Sequence, residues 1–328
     1  MISAFGLGGP VWRWTPVSGA WSNRVFRLDM VGEAFAVKQM RNPWDLPGWE
    51  EWLAEAWSFE LLAITAGVAA PAPVPNPETG GCLAHVRSER DPAIFVPVRV
   101  HRWVTGTAFP AGPVDRATAQ WAGHILATMH QLAVRPDDRS LFPVPNTDTA
   151  ARWPDLTADA RQSGAHWAPL MAAAAPSVVR IAELASAAGH LPAEEVMSHG
   201  DIDQKNLLLT ATGAVLCDWD VAMPVVPRRE VADVAMSLAA WHDNDVARDV
   251  VRAYRASGGD DTQITATDLG PSIMNGLDWI AFNVERALGQ RPAHSAEVTR
   301  SQNLLTGLLA ALPGQLDAAQ RITDILRI

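Results

Sequence analysis

The stretch His199-Gly200-Asp201-Ile202-Asp203-Gln204-Lys205-Asn206-Leu207-Leu208-Leu209, continued through Thr210-Ala211-Thr212-Gly213 to Ala214-Val215-Leu216-Cys217-Asp218-Trp219-Asp220, decides how the chain is read. The apolar runs 207–209 and 214–216 flank a Thr-Gly turn, a pattern that predicts two short buried strands in a hairpin. Asp201, Asn206 and Asp218 then sit just outside the strand ends and converge on one point. A carboxylate, an amide oxygen and a second carboxylate held together suit a hard cation such as Mg2+ beside a general base. The spacing fits phosphoryl transfer: a base Asp, an Asn five places on, and an Asp-aromatic pair beyond a hairpin.

In residue type, order and spacing this segment resembles the aminoglycoside phosphotransferase-like kinases of small molecules. Their catalytic loop reads His-Gly-Asp with an Asn five residues after the Asp, and their metal motif reads Asp-Trp/Phe-Asp/Glu/Gly. The resemblance implies an α+β, two-lobed protein-kinase-like fold, with a small β-rich N-terminal lobe and a larger, mainly helical C-terminal lobe. It also implies ATP (or another nucleoside triphosphate) and Mg2+ as cofactors. On that pattern Asp201 orients and deprotonates an acceptor hydroxyl, Asn206 and Asp218 hold the metal, and His199 fixes the loop.

Composition agrees with an ordinary folded protein. At 328 residues and 48% hydrophobic the chain can bury a substantial core and is long enough for two domains. A net charge of −10 and a pI near 5.3 argue against nucleic acid as a partner and are compatible with a cationic ligand. Cys82 and Cys217 have no redox or metal-ligand spacing. No apolar run reaches the length of a membrane span and the N-terminus has no signal-peptide pattern, so the expectation is a soluble cytoplasmic protein with no evident obligatory protein partner. Fourteen tryptophans accompany a single tyrosine, and most are expected in the core or lining a groove.

Upstream of the decisive stretch, residues 17–28 read as strand, tight turn, strand, with Ser22 and Asn23 in the turn. Small and polar residues there can lay backbone N–H groups over a polyphosphate, although an ordinary hairpin has the same pattern. The resembled family often carries a Ser/Gly/Asn turn here, and on that ground Ser22 and Asn23 are assigned to the nucleotide. Residues 34–39 alternate as a half-buried strand with Ala34, Ala36 and Lys38 on one face. A small Ala two places before a Lys leaves room for an adenine while the ammonium reaches the phosphates.

A helix is expected from about residue 49 to 65, with Trp49, Leu53, Trp57 and Leu61 on one stripe and Trp52, Ala56, Phe59 and Ala63 beside it. It ends at Gly67, before Pro71, Pro73 and Pro75. Glu51, Glu55 and Glu60 are the acids available to Lys38, and the family pattern selects Glu55. Strands are expected at 83–87 and 94–100, joined by a turn of Glu89, Arg90, Asp91 and Pro92. The family's hinge follows, which divides the chain into a nucleotide-binding lobe, 1–102, and a catalytic and acceptor-binding lobe, 103–328.

Beyond the hinge the periodicity is helical at 116–132, 177–188, 229–242, 246–256, 268–288 and 298–312, with a last helix after Pro313. Asp233 matches the family's buried Asp, expected to brace the catalytic loop. Asp203, Asp220, Asp243 and Glu285 are nominated for the acceptor, and with the net charge they point to a cationic, aminoglycoside-like antibiotic. Other small alcohols (sugars, amino sugars, choline-like compounds, macrolides, homoserine-like compounds) are the alternative, as is a non-catalytic nucleotide-binding module. A metal hydrolase built on His199, Asp201, Asp218 and Asp220 is a further reading, one that leaves Lys38 and Asn206 without a role. Asp203 stands where protein kinases commonly place a lysine, which argues against a protein substrate. Lys205 is either a phosphate contact or an exposed side chain.

Overall fold

Alternating apolar residues near the N-terminus form a six-stranded antiparallel sheet in the computed structural model of the chain, which describes residues 3–18, 23–41, 46–88, 93–142, 148–191 and 193–327. Strands β1 (Val11–Val17), β2 (Arg24–Met30) and β3 (Glu33–Gln39) lie side by side in sequence order. They are completed by β4 (Pro73–Val74), β5 (Ala84–Arg87) and β6 (Phe95–Arg102), with β6 paired to β3, β4 and β5. The expected turn 89–92 lies outside the described residues.

Because side chains alternate across a strand, Leu28, Phe35, Val37, Val98 and Val100 bury on one face of the sheet, with Phe5, Met30 and Ala84 against them. Each such fully buried side chain contributes roughly 1.5–3 kcal/mol of transfer free energy. Lys38 and Arg99 are directly opposite each other in the β3–β6 register, as are Ala36 and His101. Directly opposed residues share a face, so this second face carries the charged groups. The edge strand β1 leaves Trp12 80% exposed, while Trp52, Trp57, Trp153, Trp167 and Trp219 are buried.

Helix α1 (Trp49–Thr65) has the expected bounds, and Gly67 closes it with φ 100° while the Val68 N–H reaches the Ala63 carbonyl at 3.0 Å. Its buried face is the expected one at Trp52, Leu53, Ala56, Trp57, Phe59 and Ala63, and differs at one place: Glu60 is buried and Leu61 is exposed. Leu53, Ala56, Trp57 and Glu60 follow the i, i+3, i+4, i+7 series of one helix face.

The remaining strands are β7 (Thr107–Ala108), β8 (Val196–Ser198), β9 (Leu207–Thr210), β10 (Gly213–Leu216) and β11 (Met223–Val225). As expected, β9 and β10 form an antiparallel hairpin, with Leu207 opposite Leu216 at its open end. Both leucines are buried, whereas Leu209 is exposed, so the strand is half-buried rather than buried throughout. Apart from Val225 at the end of β11, these strands belong to one compact unit, Met1–Pro110 with Thr128–Phe142 and Val196–Pro224.

The second unit, Ala111–Ala127 with Pro143–Glu195 and Val225–Ile328, is helical. It takes in most of α2 (Arg116–Gln131), then α3 (Asp148–Gln162), α4 (Ala168–Gly189), α5 (Pro227–Leu238), α6 (Asn244–Ala256), α7 (Ala266–Ala287), α8 (Ser295–Gln320) and α9 (Ile322–Ile325). Gly270 lets α7 approach α4: a Cβ there would lie 2.6 Å from the Leu184 carbonyl carbon. α4 is long and apolar enough to cross a membrane by length and composition, but its residues Met171, Ala174, Val178, Ile181 and Leu184 form a buried stripe packed within this unit.

Helix α8 runs through Pro313, where the sequence predicts a break. A proline removes one i→i−4 hydrogen bond. Here buried Leu305, Leu309 and Leu312 before it and Ala318 and Ala319 after it hold the helix in register.

Candidate active site

The turn into the catalytic loop admits only glycine. Gly200 has φ 77°, and a Cβ on it would lie 2.8 Å from Met223 Cγ and 3.3 Å from the Val221 carbonyl. His199, fully buried, donates from Nε2 to the Cys217 carbonyl at 2.9 Å and accepts the Asp201 N–H on Nδ1 at 3.3 Å. Its ring meets Trp219 edge-on at 4.9 Å, and the Trp219 indole N–H donates to the Leu216 carbonyl at 3.0 Å. His199 therefore ties the loop that carries Asp201 to the loop that carries Asp218.

Asn206 closes a short helical turn (Gln204–Asn206), and its amide Nδ2 donates to the Asp201 carbonyl at 2.7 Å and to Asp201 Oδ2 at 2.9 Å. Lys205 Nζ stands 3.0 Å from the other Asp201 oxygen and 3.8 Å from Asp203. Burial pushes the Asp201 carboxyl above the ordinary carboxylate range, and Lys205 opposes that rise. The Cys217 N–H on the Asn206 carbonyl, at 2.8 Å, brings the two loops together at the open end of the hairpin.

Asp218 is held in the left-handed region at φ 67°, a conformation a non-glycine residue keeps only when its surroundings impose it. Lys38 Nζ is hydrogen-bonded to Asp218 Oδ1 and lies 2.7 Å from Asp220 Oδ2. The same Asp220 oxygen accepts from Asn23 Nδ2 at 3.3 Å, while its second oxygen pairs with Arg99. Arg99 in turn pairs with Glu60, and Glu60 meets His101 Nε2 at 3.0 Å. Burial alone would push Lys38 down and Asp220 up; Asp218 and Asp220 reverse the first, and Lys38 and Arg99 the second. Lys38 is thus held protonated and Asp220 ionised.

The donors fit a hard dication. Asn206 uses its amide nitrogen on Asp201, which turns the amide oxygen away from that carboxylate, and Asp218 adds a partly exposed carboxylate. Oxygen ligands of this number suit Mg2+, which keeps waters and takes one or two protein carboxylates beside substrate phosphates. The hydrolase reading has no such support: His199 uses Nε2 on a carbonyl, and among the described residues no group of three or more His, Cys, Asp or Glu side chains is placed to share a metal.

Residues 13–264 match the profile of the phosphotransferase enzyme family. The chain belongs to that family. No curated protein matches it by sequence. Among solved structures it is similar to a spectinomycin phosphotransferase in complex with ADP and spectinomycin, at 12% identity and a TM-score of 0.69 over 94% of this chain and 95% of that one. It is also similar to a microcompartment-associated aminopropanol kinase, at 15% identity and TM-score 0.66 over 97% and 96% of the two chains. An amicoumacin kinase in complex with AMP-PNP and Ca2+ gives 12% identity and TM-score 0.62 over 90% and 88%. At these identities the likeness shows the fold, the expected α+β architecture of the kinase-like phosphotransferases.

For this family member the structure gathers Lys38, Asn23, Asp201, Asn206, Asp218 and Asp220 within the β-rich unit. Ser22 lies outside the described residues. Glu55 requires correction: its carboxylate accepts the N–H groups of Asp137 at 3.1 and 3.2 Å and of Asp138 at 3.3 Å, and it is not a partner of Lys38. Helical rotation explains this, because Glu60 lies on the buried face of α1 and Glu55 beside it at the edge.

The acids nominated for the acceptor also have other partners. Asp220 is internal to the charge cluster just described. Asp243 caps α6 through the N–H groups of Asp245 and Val246 at 3.1 and 3.2 Å. Glu285, buried, pairs with Arg152 and with Arg291 at 2.8 Å, and against burial these arginines hold it below the ordinary range. Asp203 keeps the 3.8 Å contact to Lys205 noted above. In the helical unit, Asp233 accepts a hydrogen bond from Ser272.

Sequence reasoning missed Arg99 and His101. Their signal was present: two basic residues inside the otherwise apolar run from Phe95 to Val100 and its end must find buried partners if that strand is central.

Proposed function

We propose that the chain is an ATP-dependent O-phosphotransferase that moves the γ-phosphate to a hydroxyl group of a small molecule, acting in the cytoplasm. The observation that carries this reading is that Asp201, held by Asn206, lies on a loop joined through the Cys217 N–H to Asn206 carbonyl bond to the loop of Asp218, on which Lys38 sits. Bound Mg2+ and nucleotide would supply the transferable phosphoryl group and spread its charge. Asp201 accepts the acceptor's hydroxyl proton and aims that oxygen, and its raised pKa makes it a stronger base than an exposed aspartate. With nucleotide bound, Lys38 would exchange Asp218 for phosphate oxygens, and Asp218 and Asn206 are the residues that would then hold the metal. Positioning and charge neutralisation account for most of the catalysis, since phosphoryl transfer needs little covalent chemistry from the protein. Residues 1–102 act as the nucleotide-binding lobe and 103–328 as the lobe that supplies the catalytic loop and binds the acceptor.

The acceptor we propose is a cationic, amine-bearing alcohol of the aminoglycoside-like class, with antibiotic resistance as the corresponding role. The net charge of −10 supports this, since a negative field concentrates cations at long range. So do the substrates named for similar structures, which include aminopropanol and ethanolamine, both amino alcohols. Direct contacts from Asp220, Asp243 and Glu285 do not, given their internal partners. The test is a library of aminoglycosides, amino alcohols, sugars and macrolides screened for ATP turnover with Mg2+, with product masses showing which compound gained a phosphate. A cationic product whose KM rises with salt is expected. Phosphorylation of neutral sugars or macrolides alone, at a salt-insensitive KM, would sink the cationic assignment. Absence of both turnover and ADP binding would sink the kinase reading.

A further inference from the structure

We propose that Arg99, gripped by Glu60, is a positioning residue that anchors Asp220, and that this buried chain sets Lys38 and Asn23 for the nucleotide's phosphates. The inference rests on the kinase reading above and assigns to Arg99 and Glu60 the task that a glutamate bonded directly to the lysine would perform.

Asp220 is the hub. One carboxylate oxygen takes Arg99, and the other takes Lys38 at 2.7 Å and Asn23 at 3.3 Å. Asn23 also accepts the Arg41 N–H on its side-chain oxygen at 3.1 Å, so this residue of the expected phosphate turn is held from two directions. Four separate pieces of chain therefore meet around one fork: β3 through Lys38, β6 through Arg99, α1 through Glu60 and the metal loop through Asp220. Arg99 and Glu60 are both 0% exposed, and the guanidinium lies 5.6 Å from the Trp57 ring centre.

Charge explains why an arginine is needed. Lys38 would leave Asp218 to meet phosphate oxygens, and would then divide its charge between them and Asp220. A buried carboxylate left alone would resist that step, because uncompensated burial of an ion is costly. Arg99 keeps Asp220 paired whether or not Lys38 is present. Its planar fork places NH1 on Asp220 and NH2 on Glu60, a two-carboxylate link that a lysine's single ammonium cannot reproduce in the same geometry. Glu60 keeps that fork from rotating, with His101 on its other oxygen.

The experiment is a calorimetric titration of ADP, with and without Mg2+, into wild type, Lys38→Met, Glu60→Gln, Arg99→Lys and the Lys38→Met/Glu60→Gln double variant, beside thermal unfolding of each. No chemistry is involved, so the readout is nucleotide placement alone. Glu60→Gln and Arg99→Lys should weaken ADP binding about tenfold or more, and the double variant should lose less than the sum of its singles because both changes act on one group. Glu60→Asp, which keeps the charge, should recover part of the loss. Folded Glu60→Gln and Arg99→Lys proteins that bind ADP like wild type would overturn the proposal. Fully additive losses would also overturn it, because no part of the Glu60 effect would then pass through Lys38. If all the Glu60 and Arg99 variants fail to fold, the chain is a folding element and the proposal falls. Lys38→Met binding ADP normally would instead overturn the kinase reading itself, a separate outcome.

Discussion

Asp201→Asn isolates the proton-accepting step from every other task of the catalytic loop. In the native loop the Asp201 carboxylate receives Asn206 Nδ2 at 2.9 Å and Lys205 Nζ at 3.0 Å. An asparagine has one acceptor oxygen, which can keep the Asn206 bond, while Asn206 retains its 2.7 Å bond to the residue 201 carbonyl in any case. The other contact is lost, but the Lys205 side chain is 60% exposed and can turn to water. Breaking an exposed pair of this kind costs about 0–1 kcal/mol of stability. Asn206 and Asp218 remain in place, so ADP affinity should stay within a few-fold of wild type. Loss of the base should lower kcat by about 10²–10⁴, or roughly 3–5 kcal/mol of barrier at 1.36 kcal/mol per decade. The assay is kcat with the true acceptor beside ADP affinity by calorimetry. An unchanged kcat, or ADP binding lost in step with kcat, would refute the role given to Asp201.

The meeting of the two loops around the hairpin was legible because it is local. His199, Asp201, Asn206 and Asp218 lie within a span of sequence that the hairpin folds back on itself, and residue type and spacing alone define it. Lys38 was legible through strand alternation, which puts it on the face opposite Phe35 and Val37. Glu60 was not. A helix turns 100° per residue, so a misjudgement of one position in the buried stripe of α1 exchanges Leu61 for Glu60. Apolar periodicity favours leucine, and the pairing that overrides it comes from Arg99, on a strand whose contact with the helix leaves no local pattern. The same holds for Asp220: the Asp-Trp-Asp motif places its Cα, and only the tertiary fold turns its carboxylate toward Arg99 rather than toward an acceptor. At Pro313 the breaker rule lost to burial of the leucines and alanines on either side.

The remaining predictions follow from the same geometry. Lys205→Met removes the cation that opposes the burial-driven rise of Asp201, so the acidic limb of the kcat/KM profile should move to higher pH; an unmoved limb would show that Lys205 does not sense Asp201. Gly200→Ala adds a Cβ 2.8 Å from Met223 Cγ at φ 77°, a strain of about 1–2 kcal/mol plus the overlap, and the resulting shift of Asp201 should cost about tenfold to a hundredfold in kcat. Wild-type kcat in that variant would mean the loop tolerates displacement. Glu55→Ala should lower stability by about 1 kcal/mol through the freed N–H groups of Asp137 and Asp138 while leaving ADP affinity alone, and a large loss of affinity would restore Glu55 as the partner of Lys38. The last prediction concerns acid. Burial would raise Glu60 and Asp220, but Arg99 and His101 on the first, and Lys38 and Arg99 on the second, hold both below the ordinary carboxylate range. A depressed folded pKa contributes stability that is fully present above the unfolded value, near pH 4, and disappears as pH falls toward the folded one, at about 1.36 kcal/mol per unit of depression. Wild type should therefore lose stability steeply below about pH 4. Glu60→Gln, which has no proton to gain at that position, should start from lower stability at neutral pH and show a shallower acid limb in denaturant titrations run from pH 7 to pH 2. Parallel limbs in the two proteins would mean that the Glu60–Arg99 pair carries no net charge coupling to the fold, and that Arg99 is held by Asp220 and by packing against Trp57 rather than by Glu60.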